Sequence, residues 1–304
     1  SKRLAEDPGD QRLKRQLLRV YQADIKTVDA FCTALLRENT HLLPLESDRH
    51  ALTPDFRVLD ENDAQLVRRR VLQRTLEQFY DELTPDRALL ADTLGAGRDD
   101  RALEDLVLEL HEKLQSHAYP EKWLAESREA WLHMDGSFDE TPYAGELLTS
   151  VRRKAAHWAG LLRQGALRTE DDDGLSAGYG EKFLVAAFGL DALAAADGWE
   201  SARQVLETVT FPRLNTPKGR KEDPLVVALK QLWDGCKADM KKLESLLAVS
   251  GEEAMEDLQA VAPAMVALLE LTGDFAESYR AEKLRMNAAD FSDQEHLALR
   301  LLVG

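Results

Sequence analysis

The feature that most constrains this chain is an apolar periodicity of three and four residues that recurs along most of its length. It is clearest between Asn62 and Leu83, where it predicts one face of a long amphipathic helix. The same pattern predicts a helix that starts at Ala30 and further helices over 101–115, 121–132, 143–166, 181–197, 199–209, 223–248, 252–282 and 291–303. Strand patterns are confined to Ala23–Val28 and Phe56–Leu59. The predicted fold class is therefore mostly α, with at most a few short strands.

Two segments between the predicted helices have the composition of loops. Residues 169–180 combine an acidic run with three glycines. Residues 212–224 combine three prolines with the basic residues Lys218, Arg220 and Lys221. Glycine and proline interrupt regular structure, so both segments are predicted to be loops or joints.

The net charge of −16 opposes nucleic-acid binding through bulk electrostatics, so any DNA contact has to be local. The two cysteines, Cys32 and Cys236, are too few and too distant in sequence for a disulfide framework or a zinc site, and we expect them to be reduced and buried. Apolar runs fall short of the roughly 18 residues that a bilayer requires, and the first ten residues lack the apolar core of a signal peptide. A cytoplasmic location without membrane contact is therefore predicted.

The residue patterns of autonomous catalysis are missing from the sequence. A phosphate-binding loop needs glycines followed by Lys and Ser/Thr, and no such run occurs; an apolar strand ending in Asp-Glu is also lacking. The seven histidines do not follow a metal-binding spacing. We therefore expect no catalytic residue, no metal site and no cofactor in this chain, and flat calorimetric titrations with ATP and magnesium.

Four segments, taken together and in order, resemble a known family. Ile25–Cys32 is similar to the Thr-x-His/Asp-x-Phe motif of UvrD-, Rep- and PcrA-like helicases, and Phe56–Glu61 is similar to their entry into a helical insertion. Leu114–Leu124 resembles a stretch of AddA-type subunits that ends in Pro-x-x-Trp-Leu. Asn287–Asp293 resembles the Asp-Phe-x-Asp segment with which the helicase chain leaves the insertion. The chain is thus similar to an internal piece of an AddA-type helicase-nuclease.

This resemblance implies a division of the chain and a parent activity. Residues 1–60 would belong to the ATP-binding core domain 1A, 61–285 to the helical insertion domain 1B, and 286–304 to the return into domain 1A. The parent would be an ATP-dependent DNA helicase and exonuclease that acts in double-strand-break resection, recombination and repair. It would use ATP and magnesium bound outside this chain, act on single- and double-stranded DNA, and pair with an AddB-like partner subunit.

The resemblance also implies roles for individual residues. Thr27 would contact the phosphate backbone of single-stranded DNA, which positions a strand without reading its sequence. Phe291 would stack on a base. Asp29 is a candidate for the same DNA contact and, on physical grounds, for the helix N-cap, whereas Phe31 is expected in the core. Because an insertion leaves and re-enters its domain at neighbouring points, the Thr27 and Phe291 segments should lie close together.

The basic residues Lys218, Arg220 and Lys221 have two interpretations. They are either a solvated loop or, by the resemblance, a contact to duplex DNA ahead of the motor. The whole chain also has an alternative interpretation as a stand-alone helical scaffold that binds other proteins. A reading frame that continues into a phosphate-binding loop upstream and an Asp-Glu motif downstream would exclude that alternative.

Overall fold

The apolar periodicity of the sequence becomes a set of long helices in the computed structural model, which describes residues 10–22, 26–43, 52–95 and 101–303. Within these residues the helices of at least ten residues are α1 (Gln11–Gln22), α2 (Val28–Asn39), α3 (Glu61–Asp81), α4 (Pro85–Gly95), α5 (Arg101–Gln115), α6 (Pro120–Leu132), α7 (Pro142–Leu167), α8 (Glu181–Ala194), α9 (Trp199–Thr208), α10 (Pro224–Leu246), α11 (Gly251–Arg285) and α12 (Phe291–Val303). The described strands are β1 (Arg57–Val58) and β2 (Ala288–Ala289). The prediction of a mostly α fold is confirmed.

The chain forms two compact units. The first contains the described residues up to Leu132 and from Pro263 onward, and the second contains His133–Ala262. The boundary near Ala262 lies inside α11, next to Pro263, whose ring removes one backbone donor from the helix. These limits differ from the predicted borders at residues 60 and 285, which follow the helicase resemblance and stay a prediction.

The core of the first unit is built from α3, α5 and α11. These helices bury one apolar face each, as their spacing predicts. The main cluster contains Val67, Val71, Leu72, Leu76, Phe79, Leu90, Leu103, Val107, Ala264, Ala267, Leu268, Leu271, Phe275 and Tyr279. In its centre the rings of Phe275 and Tyr279 stack with centroids 5.9 Å apart.

A two-stranded parallel sheet in the first unit brings two distant segments of the chain together. Arg57 pairs with Ala288 and Val58 pairs with Ala289. The turn before β2 contains Asn287 with φ of 46°, a left-handed conformation that Asn adopts more readily than most residues. This parallel pairing fixes where α12 begins, since α12 follows β2 after a single residue.

The second unit packs α7 against α8 through small side chains. Ala155, Ala159 and Gly165 are buried on α7, and Ala186 is buried on α8. A Cβ at Gly165 would lie 2.8 Å from the ring of Phe183, so this glycine permits the close approach.

The predicted loop at 169–180 is wrong, because most of this segment is helical. The Asp172 carboxylate accepts a hydrogen bond from Leu175 N at 3.0 Å and starts a helical turn, Asp173–Leu175. One turn of π-helix, Ser176–Gly180, continues directly into α8. The buried Gly178 lies against the backbone of Asn215, whose N–H donates to Gly178 O at 3.2 Å. The glycine therefore serves close backbone packing here, whereas the segment 212–224 is the irregular loop that was predicted.

Gly178→Ala is expected to lower the free energy of unfolding by about 1–3 kcal/mol, because the new Cβ would overlap the Asn215 carbonyl oxygen. Gly160→Ala in α7 is the matched control: no atom of the surroundings lies within 4 Å of its Cβ. It should stabilise the helix by about 0.5–1 kcal/mol. Urea denaturation of both variants tests the two signs, and a stabilised Gly178→Ala variant would contradict the close packing.

Other local predictions also need correction. Ala23–Ile25 lie outside the described residues, and Lys26–Val28 lead into α2 without forming a strand. The helix α4 was not predicted. Pro85 is its first residue, a position at which the missing N–H of proline costs little. The predicted strand at Phe56–Leu59 is confirmed by β1.

The two cysteines are free and buried, as predicted. Burial and the nearby Asp239 raise the pKa of the Cys236 thiol to about 12. Since the thiolate is the reactive form, Cys236 is an unreactive core residue.

The helix α11 contains an 18-residue window that is long and apolar enough to cross a membrane, which the apolar runs of the sequence did not predict. Length and hydropathy alone are weak evidence for a membrane span, because core helices of soluble proteins have the same properties. The side chains of Leu268, Leu271 and Phe275 on this helix are buried in the core of the first unit.

Candidate nucleic-acid interface

The helices α2 and α12, which begin at the two motifs predicted to contact DNA, pack against each other in the first unit. Thr33 Oγ1 on α2 donates a hydrogen bond to Gln294 Oε1 on α12. Both residues lie within two turns of the start of their helix. The prediction that the Thr27 and Phe291 segments are neighbours is confirmed.

The first turn of α2 is capped by Thr27. Its Oγ1 accepts a hydrogen bond from Ala30 N at 3.3 Å. Asp29, which was predicted as the cap, already lies in the first turn; that prediction is wrong because the helix begins at Val28, earlier than expected. The carboxylate of Asp29 instead interacts favourably with the positive end of the helix dipole.

Large apolar side chains are exposed at the start of both helices. Phe291, the first residue of α12, is 46% exposed, and Val28 and Phe31 of α2 are 66% and 38% exposed. The expectation that Phe31 belongs to the core is therefore wrong. These exposed side chains leave the starts of both helices accessible to a ligand.

Phe291 lies between the two members of a reciprocal cap. Asp290 Oδ1 accepts from Asp293 N at 2.9 Å, and Asp293 Oδ2 accepts from Asp290 N at 3.0 Å. This is the geometry of a capping box, in which the N-cap and third residues satisfy each other's backbone donors. The Asp-Phe-x-Asp motif is thus a helix start that presents its aromatic residue at the first helical position.

A buried lysine, Lys283, pairs with both carboxylates of this cap. Lys283 Nζ lies 2.9 Å from Asp290 Oδ2 and 2.6 Å from Asp293 Oδ2, and Tyr279 OH donates to Asp290 Oδ2 at 2.9 Å. Burial alone would raise the pKa of the Asp290 carboxyl. The charge of Lys283 and the hydrogen bonds from Asp293 N–H, Lys283 and Tyr279 outweigh it and lower that pKa to about 2.

His111 packs against the aromatic side of this buried cluster. Its ring makes edge contacts with Phe275 and Tyr279, at centroid distances of 5.0 and 5.8 Å. Burial, followed by the charges of Lys283 and Arg68, lowers the pKa of His111 to about 4. The imidazole is therefore neutral in the folded protein near pH 7.

The predicted basic contact residues lie in the second unit. Arg220 is committed to carboxylates: its Nη2 lies 2.6 Å from Asp223 Oδ2, and its Nη1 pairs with Asp172. It therefore fastens the loop to the turn at 173–175. Lys218 and Lys221 are exposed on the same loop, so among the predicted basic residues these two are the ones accessible to a ligand.

Sequence reasoning found the exposed residues of this site and missed the buried ones. The three-residue spacing of Asp290 and Asp293 is itself a helix-start signal and was available in the sequence. Lys283 and Tyr279 carry no such signal, because only the fold brings the end of α11 to the start of α12. Among the described residues, no group of three or more His, Cys, Asp or Glu side chains is placed to hold a metal ion.

Comparison with known proteins gives consistent relatives. The ATP-dependent helicase/nuclease A-subunit of Acetivibrio thermocellus is 30% identical over 313 residues, which cover 99% of this chain and 24% of that protein. The proteins of the same name from Desulforudis audaxviator and Syntrophomonas wolfei are 32% and 30% identical, with the same two coverages. No family model matches the chain.

The chain spans about a quarter of the length of the curated relatives that it matches. The similarity includes all four motif segments, since it covers 99% of the chain. The chain is therefore a homologue of a part, about a quarter in length, of the ATP-dependent helicase/nuclease A-subunits.

Proposed function

We propose that this chain is a DNA-contacting part of an ATP-dependent DNA helicase and exonuclease of the AddA type. The observation that carries the proposal is the exposure of Phe291 at the capped start of α12, a helix that packs against α2, whose N-cap is Thr27. The names of the relatives supply the activity class. In this proposal the work of the parent is break resection for recombination and repair in the cytoplasm, together with an AddB-like partner.

Contact with a single strand would combine two interactions that do not read sequence. The ring of Phe291 offers a face on which any base is able to stack. The Thr27 hydroxyl and the backbone N–H groups at the start of α2 offer hydrogen bonds to a phosphate. Such a pair suits a motor that moves along DNA of any sequence.

The second unit would serve duplex DNA through Lys218 and Lys221. Arg220 pairs with Asp172 and Asp223, so its role would be to hold the loop that carries the two lysines in place. In this proposal residues 61–285 act as the insertion domain 1B, and the ATP and magnesium sites belong to the rest of the parent, so that this chain alone is inactive.

One observation favours the alternative of a protein-binding role for the second unit. Leu184, Val185 and Phe188 are exposed on α8, and Phe188 is 79% exposed. An apolar stripe of this kind is typical of a protein contact. Pull-down with the AddB-like partner, comparing the wild type with Phe188→Ala, separates this role from DNA binding.

Phe291→Ala is expected to weaken binding of a fluorescent oligo(dT) by about 5- to 150-fold, the loss that one base–aromatic stack predicts. Binding of this isolated chain should itself be weak, because its net charge is −16, so anisotropy is best measured at low ionic strength. In the full-length protein the same substitution should reduce unwinding and DNA-stimulated ATP hydrolysis.

The control for this experiment is Phe188→Ala, which removes an even more exposed ring from the other unit. It should leave oligo(dT) binding unchanged. Phe291→Ala should lower the free energy of unfolding by less than about 1.5 kcal/mol, since a buried Phe would cost about 3–5 kcal/mol. An unchanged affinity for oligo(dT), or a large stability loss that accounts for the effect, would contradict the DNA role of Phe291.

A further inference from the structure

We propose that Lys283 is a positioning residue that holds Phe291 in the orientation needed to stack on a DNA base. This inference rests on the proposed function, because it assumes that Phe291 contacts the strand. The orientation of the ring would then depend on a buried ion cluster that does not itself touch DNA.

The charges of this cluster are buried where two helices meet. Lys283 and Asp290 are each 5% exposed, so their pairing is screened little by water. Lys283 lies in the last turn of α11, where a cation is favoured, and the two carboxylates lie at the start of α12, where anions are favoured. The lysine thereby joins the end of one helix to the start of the next.

Both carboxylates of the cap share the ammonium group of Lys283. A capping box satisfies its backbone donors without any lysine, and Lys283 adds a third fixed point below it. The backbone of Phe291 therefore lies between two residues whose side chains and N–H groups are all engaged. Rotation of this first turn would break at least one of these contacts.

Stability alone does not require this arrangement. Buried ion pairs are often no more stabilising than apolar side chains of similar volume, because both charges lose their hydration. What an ion cluster adds over apolar packing is defined geometry, since its hydrogen bonds are directional. The exposed group whose geometry this cluster defines is the ring of Phe291.

The experiment uses the 304-residue chain labelled with 4-fluorophenylalanine at its nine phenylalanines. The ¹⁹F resonance of Phe291 is assigned from a Phe291→Leu sample. Lys283→Met is expected to shift or broaden that resonance in the absence of DNA, and Lys283→Arg should largely restore it. Lys113→Met is the matched control, because Lys113 forms an exposed pair with Glu109.

Oligo(dT) binding is measured on the same proteins. Lys283→Met should weaken binding by as much as Phe291→Ala, about 5- to 150-fold, and the double variant should be no weaker than Phe291→Ala alone. A purely structural loss would instead add to the effect of Phe291→Ala. Should Lys283→Met fail to fold, Asp293→Asn, which keeps an oxygen for the Asp290 N–H, takes its place with the same expectations.

The outcomes separate this inference from the proposed function. An unmoved Phe291 resonance in both Lys283→Met and Asp293→Asn, or additive losses of affinity, would overturn the positioning role while leaving the DNA contact intact. If Phe291→Ala leaves binding unchanged, the proposed DNA contact fails, and with it the purpose assigned to Lys283, even where the resonance moves.

Discussion

Asp290→Ala is expected to lower the free energy of unfolding by about 3–5 kcal/mol, the cost of removing one partner from a buried ion pair. The substitution deletes the N-cap of α12 and leaves Lys283, only 5% exposed, with the single carboxylate of Asp293. Asp290→Asn should cost less, because the amide oxygen still accepts from Asp293 N. Urea denaturation monitored by circular dichroism measures both variants.

The control for this prediction is Glu109→Ala, which removes one partner of an exposed pair with Lys113. Exposed pairs contribute about 0–1 kcal/mol, so this variant should be nearly as stable as the wild type. If Asp290→Ala costs no more than Glu109→Ala, the cluster is not the stable joint between α11 and α12 that its geometry indicates.

The helices could be predicted from the sequence because their stabilising interactions are local or periodic. The pattern at 62–83 predicted α3 (Glu61–Asp81) to within two residues at each end, and 101–115 matched α5. The failures have tertiary causes. In the sequence, the segment 169–180 has the composition of a glycine-rich loop. In the fold, the backbone of Asn215 lies against Gly178, and this tertiary contact explains why a glycine stands in a packed helical turn.

The residues of the candidate site divide in the same way, into those that local motifs identify and those that only the fold brings together. Thr27 and Phe291 were identified from motifs, and the fold places them on neighbouring helices with their exposed ends available. Lys283 could not be identified, because a lysine near the end of an amphipathic helix is usually solvated. The β1–β2 pairing near it joins residues more than 200 positions apart, and local sequence patterns do not reveal such a contact either.

This arrangement separates stability from exposure at the proposed DNA contact. Tyr279, Lys283 and Asp290 are buried and bonded to one another, while Phe291 one residue later is half exposed. A surface aromatic ring usually gains little order from its own packing. In the proposed role of Lys283, the order of the Phe291 ring comes from the capped backbone that carries it. Substitutions of the ring and of the cluster should then weaken DNA binding alike and differ in their effect on stability.

The folded protein is expected to lose about 3 kcal/mol of stability between pH 6.5 and pH 4 through His111 alone. The pKa of His111 is lowered from 6.5 to about 4 in the fold, so within this window the unfolded chain binds a proton that the folded chain excludes. Each unit of difference between the two pKa values corresponds to about 1.36 kcal/mol. The free energy of unfolding therefore decreases as the pH falls. Urea denaturation at several pH values should show this slope in the wild type and a shallower one in His111→Gln, whatever the absolute stability of the variant. Equal slopes in the wild type and His111→Gln would mean that His111 is protonated in the fold without penalty, in conflict with its burial against Phe275 and Tyr279.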